Sequence, residues 1–250
     1  MPRDRSADPL CTVLIPAYNE AGTIRGIVEA VLAHVDRVFV ISDGSTDGTV
    51  EQLAGLPVEV LEHAENRGKG FRLAEGLDRA FREGADCVLT LDADGQHDPA
   101  DIPAFLAAAR RSSQALVVGD RLGDRRSMPA GRAASIGFGD FFISWATGQR
   151  LQDCQCGMRL YPAELWARVR VPARERSHFV FETAVLLRAA EAGCEIARVP
   201  IAARYAGYVH RPSRFRPIMD TLRIARSVAR FMLGGGARSR GLLIALGVLR

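Results

Sequence analysis

Along this chain, short apolar runs alternate with longer stretches in which apolar residues return every three or four positions. Residues 13–15, 37–41, 58–61, 88–91 and 115–118 read as strands, each bounded by turn formers. Between them, 21–34, 67–82 and 100–110 read as helices. The first of these aligns Ile24, Ile27, Val28, Val31 and Leu32 on one face. Pro16 is expected to halt the first strand and Ser42-Asp43-Gly44 the second, with Asp47 capping a short helix through Leu53. Strand–helix alternation predicts an α/β fold: a largely parallel central sheet with helices on both faces and right-handed crossovers.

Farther along, the pattern changes. Phe138, Phe142 and Trp145 belong to an apolar helical run, and packing is their expected role, as it is for Trp166. Residues 217–233 read as an amphipathic helix with Ile218, Leu222, Ala225, Ala229 and Met232 on one side and Arg223, Arg226 and Arg230 on another. Such a helix suits an anionic membrane surface, the cover of a sheet or a dimer contact. Gly234-Gly235-Gly236 ends it, and the apolar stretch 241–249 is far shorter than the ~20 residues a bilayer requires. The expected organisation is a flexible segment at 1–10, a principal domain at 11–215, a basic helix at 216–233, and a glycine-rich linker with a short apolar tail at 234–250.

Composition narrows the class. The 250 residues carry near-average apolar and charged content, as a globular chain does. Net charge is only +4, and Lys69 is the one lysine among 33 basic residues. Arginine offers phosphates a planar fork of donors. The five cysteines, Cys11, Cys87, Cys154, Cys156 and Cys194, are odd in number and lack repeated C-x-x-C spacing, against a disulfide framework or zinc site and for a reduced, cytoplasmic setting. The first ten residues are charged and lack an apolar core, so no secretory signal is expected in them. Basic residues are not interleaved with aromatics as a stripe, so nucleic acid is not an expected partner.

The chemistry concentrates where strands end. The run Leu89 to Pro99, L-T-L-D-A-D-G-Q-H-D-P, drops from an apolar strand into Asp92 and Asp94. In open α/β sheets, ligands bind beyond the carboxyl ends of the strands. Two hard oxygen donors there suit Mg²⁺ or Mn²⁺ shared with a substrate phosphate, though the same residues also make an ordinary acidic turn. Parallel strands would bring Pro16-Ala17-Tyr18-Asn19-Glu20 and Ser42 to Gly48 to the same side, with Tyr18 able to stack on a base and Asp43 able to accept from base or ribose. No G-x-G-x-x-G follows the first strand, and Asn66-Arg67-Gly68-Lys69-Gly70 lacks phosphate-loop spacing.

Three motifs in order, Val13 to Glu20, Ser42 to Thr49 and Asp92-Ala-Asp-Gly-Gln-His97, resemble those of the inverting family-2 glycosyltransferases, especially the dolichol- and polyprenyl-phosphate sugar synthases. The resemblance runs from about Cys11 to Phe215. It implies the GT-A nucleotide-diphospho-sugar transferase fold, a divalent metal (Mg²⁺ or Mn²⁺), and a UDP- or GDP-sugar donor. By the same resemblance Pro16, Tyr18, Glu20 and Asp43 bind the nucleotide, and Asp92, Asp94 and Gln96 hold metal and diphosphate. Gly119-Asp-Arg121 and the Arg132/Ser135 pair match elements whose arginines contact phosphates. Asp153-Cys-Gln-Cys-Gly-Met-Arg159 is similar to D-x-x-S-G-F-R with Cys156 for serine, Ser213-Arg214-Phe215 resembles S-K-L, and Ser42 replaces the first Asp of D-D-G-S. The Q-x-x-R-W signature of processive synthases is absent, which favours a single transfer.

Physically, sugar transfer gathers negative charge on the departing diphosphate, which a metal at Asp92 and Asp94 and an arginine such as Arg121 would stabilise. A phosphate acceptor needs no general base; a hydroxyl acceptor needs one, and Asp153 is the candidate, with bonding of its own loop as the alternative. Glu182 reads as an organising partner for an arginine, or as a base. His97 is expected at a phosphate, a metal or the turn itself, and Arg125 and Arg126 in a charged loop that closes over the donor or is simply solvated. The acceptor is expected to be lipid-linked, such as a polyprenyl phosphate, or a small molecule, with peripheral contact at the inner face of the cell membrane. A nucleotidyltransferase and a non-catalytic sugar-nucleotide binder are the alternatives. The motifs leave sugar, base, acceptor and oligomeric state open.

Overall fold

The computed structural model describes residues 9–121, 130–177, 180–202, 217–236 and 239–249. Strands β1 (Cys11–Ala17), β2 (Arg37–Asp43), β3 (Glu59–His63), β4 (Cys87–Thr90), β5 (Leu116–Asp120), β6 (Arg159–Pro162) and β7 (Ile196–Pro200) form one sheet in the order β3-β2-β1-β4-β6-β5-β7. All neighbours are parallel except β6, which runs antiparallel to both β4 and β5. The largely parallel sheet is as expected; β7 had no forecast, and neither had β6. Its four residues, R-L-Y-P, carry too little alternation to be read as a strand, and only the vacancy between β4 and β5 makes them one.

Val13, Leu14 and Ile15 of β1 and Phe39, Val40 and Ile41 of β2 are fully buried, as continuous apolar strands covered on both faces should be. β3 at the edge places Glu59 and Glu62 in solvent, which discourages pairing with another chain. Helices α1 (Ile24–Leu32), α2 (Lys69–Arg82), α3 (Ile102–Arg111), α4 (Ala130–Thr147), α5 (Ala163–Arg168) and α6 (Val180–Glu191) pack around the sheet, enclosing one continuous apolar core. α2 lies especially close. A Cβ on its Gly76 would sit 2.5 Å from Leu14 Cδ1 and 2.8 Å from Ile41 Cδ1, so only glycine lets the helix approach.

Pro16 does not halt β1, which continues through it to Ala17. Leu14 gives its carbonyl to Leu91 N at 3.1 Å, so Pro16, two residues on, points its nitrogen to the same side, where β4 has already ended. A proline there forfeits no ladder bond. Asp47 caps no helix; its carboxylate takes Ala21 N at 3.1 Å and Thr49 N at 3.1 Å instead.

The C-terminal part forms α7 (Pro217–Phe231), a π-helical turn Met232–Gly236, and α8 (Ser239–Ala245). The apolar tail thus contains a helix that docks on α4: a Cβ on Gly241 would meet Trp145 O at 2.2 Å. Among the described residues no helix is long and apolar enough to cross a membrane.

Candidate active site

Because β1, β2 and β4 are parallel, their C-terminal ends open on one side, and three loops meet there. The first two interlock. Asn19 N donates to Ser45 Oγ (3.0 Å), Thr46 N donates to Asn19 Oδ1 (2.8 Å), and Glu20 N donates to Thr49 Oγ1 (2.8 Å). Asn19 takes φ +55°, a left-handed turn that asparagine tolerates better than most residues. The third loop is tied to the first by Thr23, whose hydroxyl donates to Ala93 O at 2.7 Å. Pro16, Tyr18 and Glu20 are half-buried along this seam.

Asp43 ends β2 and is nearly fully buried. Its Oδ1 accepts from Arg67 N (2.8 Å) and Arg72 Nε (2.7 Å), and its Oδ2 from Gly68 N (2.8 Å). This carboxylate therefore folds the 65–68 loop over the end of β2 and sets the start of α2. The first residue of that helix is Lys69.

Lys69 reaches across to the third loop. Its Nζ lies 2.6 Å from Asp92 Oδ1 and 2.9 Å from Glu182 Oε1. Burial opposes the charge on Lys69, but the two carboxylates hold the ammonium well above its ordinary pKa. Burial likewise opposes the Asp92 carboxylate, yet Lys69, with His97 and Arg121 behind it, keeps its pKa below the usual range. The Asp92 side chain is 25 % exposed. Its Oδ2 rests against the backbone of Gly157, where a Cβ would come within 2.4 Å. Asp94, two residues on, accepts from Gln96 N at 3.0 Å and Gln96 Nε2 at 2.9 Å around Gly95 at φ +74°.

A buried scaffold supports this pair from below. Arg121 donates from N and Nε to Asp153 Oδ2 (2.9 and 2.7 Å) and from Nη2 to Asp153 Oδ1 (2.7 Å). Asp140 of α4 accepts from Asp153 N and Cys154 N, each at 2.8 Å. Arg159, fully buried, donates to the carbonyls of Cys154, Cys156 and Glu182 at 2.6–2.8 Å. His97 packs with its Nε2 3.7 Å from Cys156 Sγ, while its Nδ1 has no hydrogen-bond partner among the described residues. Burial pushes the His97 pKa down to about 4 and the Cys156 thiol up to about 12, so both are neutral near pH 7.

The structure thus gathers Asp92, Asp94, Gln96, His97, Arg121 and Asp153 on one side of the sheet, with Asp43 beside them. Two expectations change. Asp153 is fully buried with both oxygens on Arg121, which makes it an anchor for that arginine. The carboxylate of Glu182 pairs with Lys69, and the arginine near it, Arg159, takes the Glu182 carbonyl instead. Arg132 begins within α4, but its side chain, like that of Ser135, lies outside the described residues, as do Arg125, Arg126 and Ser213 to Phe215. Sequence reasoning gave no role to Lys69 or Asp140, and took Gly157 and Arg159 only as members of the Asp153–Arg159 element. The signal for Lys69 was available, since a chain that otherwise uses only arginine keeps one lysine.

The sequence pattern of Glycosyl transferase family 2 matches residues 12–166. The chain is 29 % identical to a UDP-N-acetylglucosamine–dolichyl-phosphate N-acetylglucosaminyltransferase of Methanococcus voltae, over 81 % of this chain and 88 % of that protein. It is 30 % identical to an undecaprenyl-phosphate mannosyltransferase of Micrococcus luteus, over 75 % and 81 %. Its fold matches glucosyl-3-phosphoglycerate synthase of Mycobacterium tuberculosis, solved with Mn²⁺, UDP and glucosyl-3-phosphoglycerate. That match has TM-score 0.68 and 20 % identity, and covers 92 % of this chain and 81 % of that one.

Proposed function

Since the chain belongs to glycosyl transferase family 2 and has the GT-A-like fold, we propose that it is a metal-dependent inverting transferase moving a sugar from a nucleotide-diphospho-sugar to a polyprenyl phosphate. Family membership sets aside the nucleotidyltransferase and non-catalytic alternatives. Relatives named for dolichyl- and undecaprenyl-phosphate support the acceptor, and the neighbour holding UDP with Mn²⁺ supports the donor and metal.

The metal is tested by the donor set. Asp92 and Asp94 are hard oxygen ligands at the mouth of the sheet, and Gln96 orients Asp94 through both its oxygens. Among the described residues no three His, Cys, Asp or Glu side chains gather into a cage. Two carboxylates completed by substrate phosphate oxygens are the manner in which Mg²⁺ and Mn²⁺ are commonly held, so the residues fit. When bound, the ion would neutralise charge on the departing diphosphate.

The observation that carries the acceptor assignment is the likeness to dolichyl- and undecaprenyl-phosphate transferases, and the engagement of the acids among the described residues agrees with it. Asp43 is held by Arg72, Asp92 and Glu182 by Lys69, Asp94 by Gln96 and Asp153 by Arg121. A hydroxyl acceptor requires a base within hydrogen-bond reach, whereas a phosphate arrives already ionised. In the transfer, one phosphate oxygen forms a bond to the anomeric carbon as the bond to the diphosphate breaks, and the nucleoside diphosphate leaves with the electron pair. Arg121, fixed by Asp153, contributes positive charge beside Asp92 during that step. Pro16, Tyr18 and Glu20 line the nucleotide in this reading, with Arg132 at a phosphate.

A lipid acceptor requires contact with a membrane, and the C-terminal surface suits it. Seven of the eight exposed large apolar side chains among the described residues lie at 219–249, including Leu222, Leu233, Leu246 and Val248. The last thirty residues contain six arginines and no acid. Exposed apolar groups set among arginines favour an anionic membrane face, at which we place the enzyme.

The test is transfer of radiolabelled sugar from UDP- and GDP-sugars to a polyprenyl phosphate in detergent, with Mn²⁺ or a chelator. Product with Mn²⁺, loss on chelation and at least a hundredfold loss in Asp94→Asn are expected. Transfer to a neutral polyprenol but not to its phosphate would overturn the acceptor assignment.

A further inference from the structure

Lys69 occupies the place in the charge balance that a divalent ion would take. Its ammonium holds Asp92 Oδ1 at 2.6 Å, and the other oxygen of that carboxylate is pressed against Gly157. A dication taking Oδ1 meets the oxygen Lys69 already holds, and one taking Oδ2 of the same carboxylate still stands beside the ammonium, so the two cations would repel each other. Glu182, nearly buried and 2.9 Å from the same ammonium, offers Lys69 a second anion to keep when Asp92 is surrendered. Glu182 is itself fixed from behind, its carbonyl held by the buried Arg159 at 2.6 Å.

From this arrangement we infer that Lys69 is an exchangeable internal counter-ion, a positioning residue that makes divalent metal and nucleotide diphosphate bind in concert. The inference rests on the metal-dependent donor reading above. A metal arriving alone must displace Lys69 and adds positive charge beside it. A metal arriving with a diphosphate brings the anion that offsets the displaced ammonium. Metal and nucleotide thus raise each other's affinity, and by linkage each does so by the same factor. Glu182 sets the ease of exchange.

The experiment measures Mn²⁺ binding to the full chain by electron paramagnetic resonance, with and without UDP, and with GDP run beside it. For the unaltered chain, nucleotide should tighten Mn²⁺ strongly. In Lys69→Met, Mn²⁺ alone should bind at least tenfold tighter, and the enhancement by nucleotide should shrink by a similar factor. Glu182→Gln should shift Mn²⁺ alone the opposite way, because Lys69 then leans more heavily on Asp92. If Lys69→Met does not fold, the Lys69→Met/Glu182→Gln double variant removes the buried pair together and should show the same tightening. Unchanged or weaker Mn²⁺ binding in a folded Lys69 variant would overturn the inference while leaving the donor reading intact. Absence of Mn²⁺ binding to the unaltered chain even with UDP or GDP would bring down the donor reading, and this inference with it.

Discussion

Arg121 and Asp153 face each other as a two-pronged ion pair inside the protein, with Nε and Nη2 each 2.7 Å from a carboxylate oxygen and the Arg121 amide closing a third bond. Asp153 takes φ +52° to reach this position, and Asp140 holds its amide in place. The pair fixes the end of β5 against the loop before β6, and so fixes the floor beneath Asp92.

Removing one charge of such a pair strands the other. Asp153→Asn is therefore expected to cost about 3–5 kcal/mol in urea unfolding. At a temperature where the variant is folded, its rate against pH should keep the shape of the parent's. Loss of the acidic limb alone, with the fold intact, would restore Asp153 as a base.

Gly157 makes a separate forecast. In Gly157→Ala the new Cβ would stand 2.4 Å from Asp92 Oδ2 and 2.9 Å from its Cγ, so the carboxylate must turn away. A short side chain moves at small cost to the fold, and the melting temperature should change by only a few degrees. Sugar transfer, by contrast, should fall at least tenfold, together with Mn²⁺ affinity in the presence of UDP. Full activity would mean that the orientation of Asp92 is unimportant.

His97 gives the chain a pH dependence. Its folded pKa, pushed down by burial to about 4 from 6.5, means that the unfolded chain takes up the proton first. The stability from this group is complete above pH 6.5 and is lost as pH falls from there through about 4. The shift corresponds to about 2 kcal/mol between pH 7 and pH 5. Urea midpoints of the metal-free chain at those pH values, compared with His97→Asn, should show the difference flattened in the variant. An identical pH response in both would assign the effect to other groups.

The C-terminal face is testable without turnover. Leu222 and Leu246 are 54 % and 59 % exposed, so changing both to Glu leaves the core untouched. The full chain should float with vesicles containing anionic lipid, and the double variant should remain in the soluble fraction. Activity toward a short, soluble acceptor phosphate should survive. Equal flotation of the two proteins would remove this face as the contact.

Much of this was legible beforehand because it follows local rules. Strand runs such as Val13 to Ile15 and the helical spacing of Ile24, Ile27, Val28 and Val31 report burial directly, since a buried face must be apolar at its own period. Asp92, Asp94 and Asp43 stood out because acids directly after a short β-rich apolar run are expected at a strand's exit. The sequence alone thus determined the α/β class, the side of the sheet on which the candidate site residues gather, and the family pattern spanning it.

Tertiary structure decided the pairings. Lys69 and Glu182 are 113 residues apart, and Arg121 and Asp153 are 32 apart. No periodicity links them; they meet because α2, α6 and the loop before β6 converge on one end of the sheet. For the same reason Pro16 sits inside a strand and R-L-Y-P becomes β6, since what a residue can do there depends on which neighbours have ended and which place is vacant. Charges are partnered by position in space, and only the folded chain fixes that position.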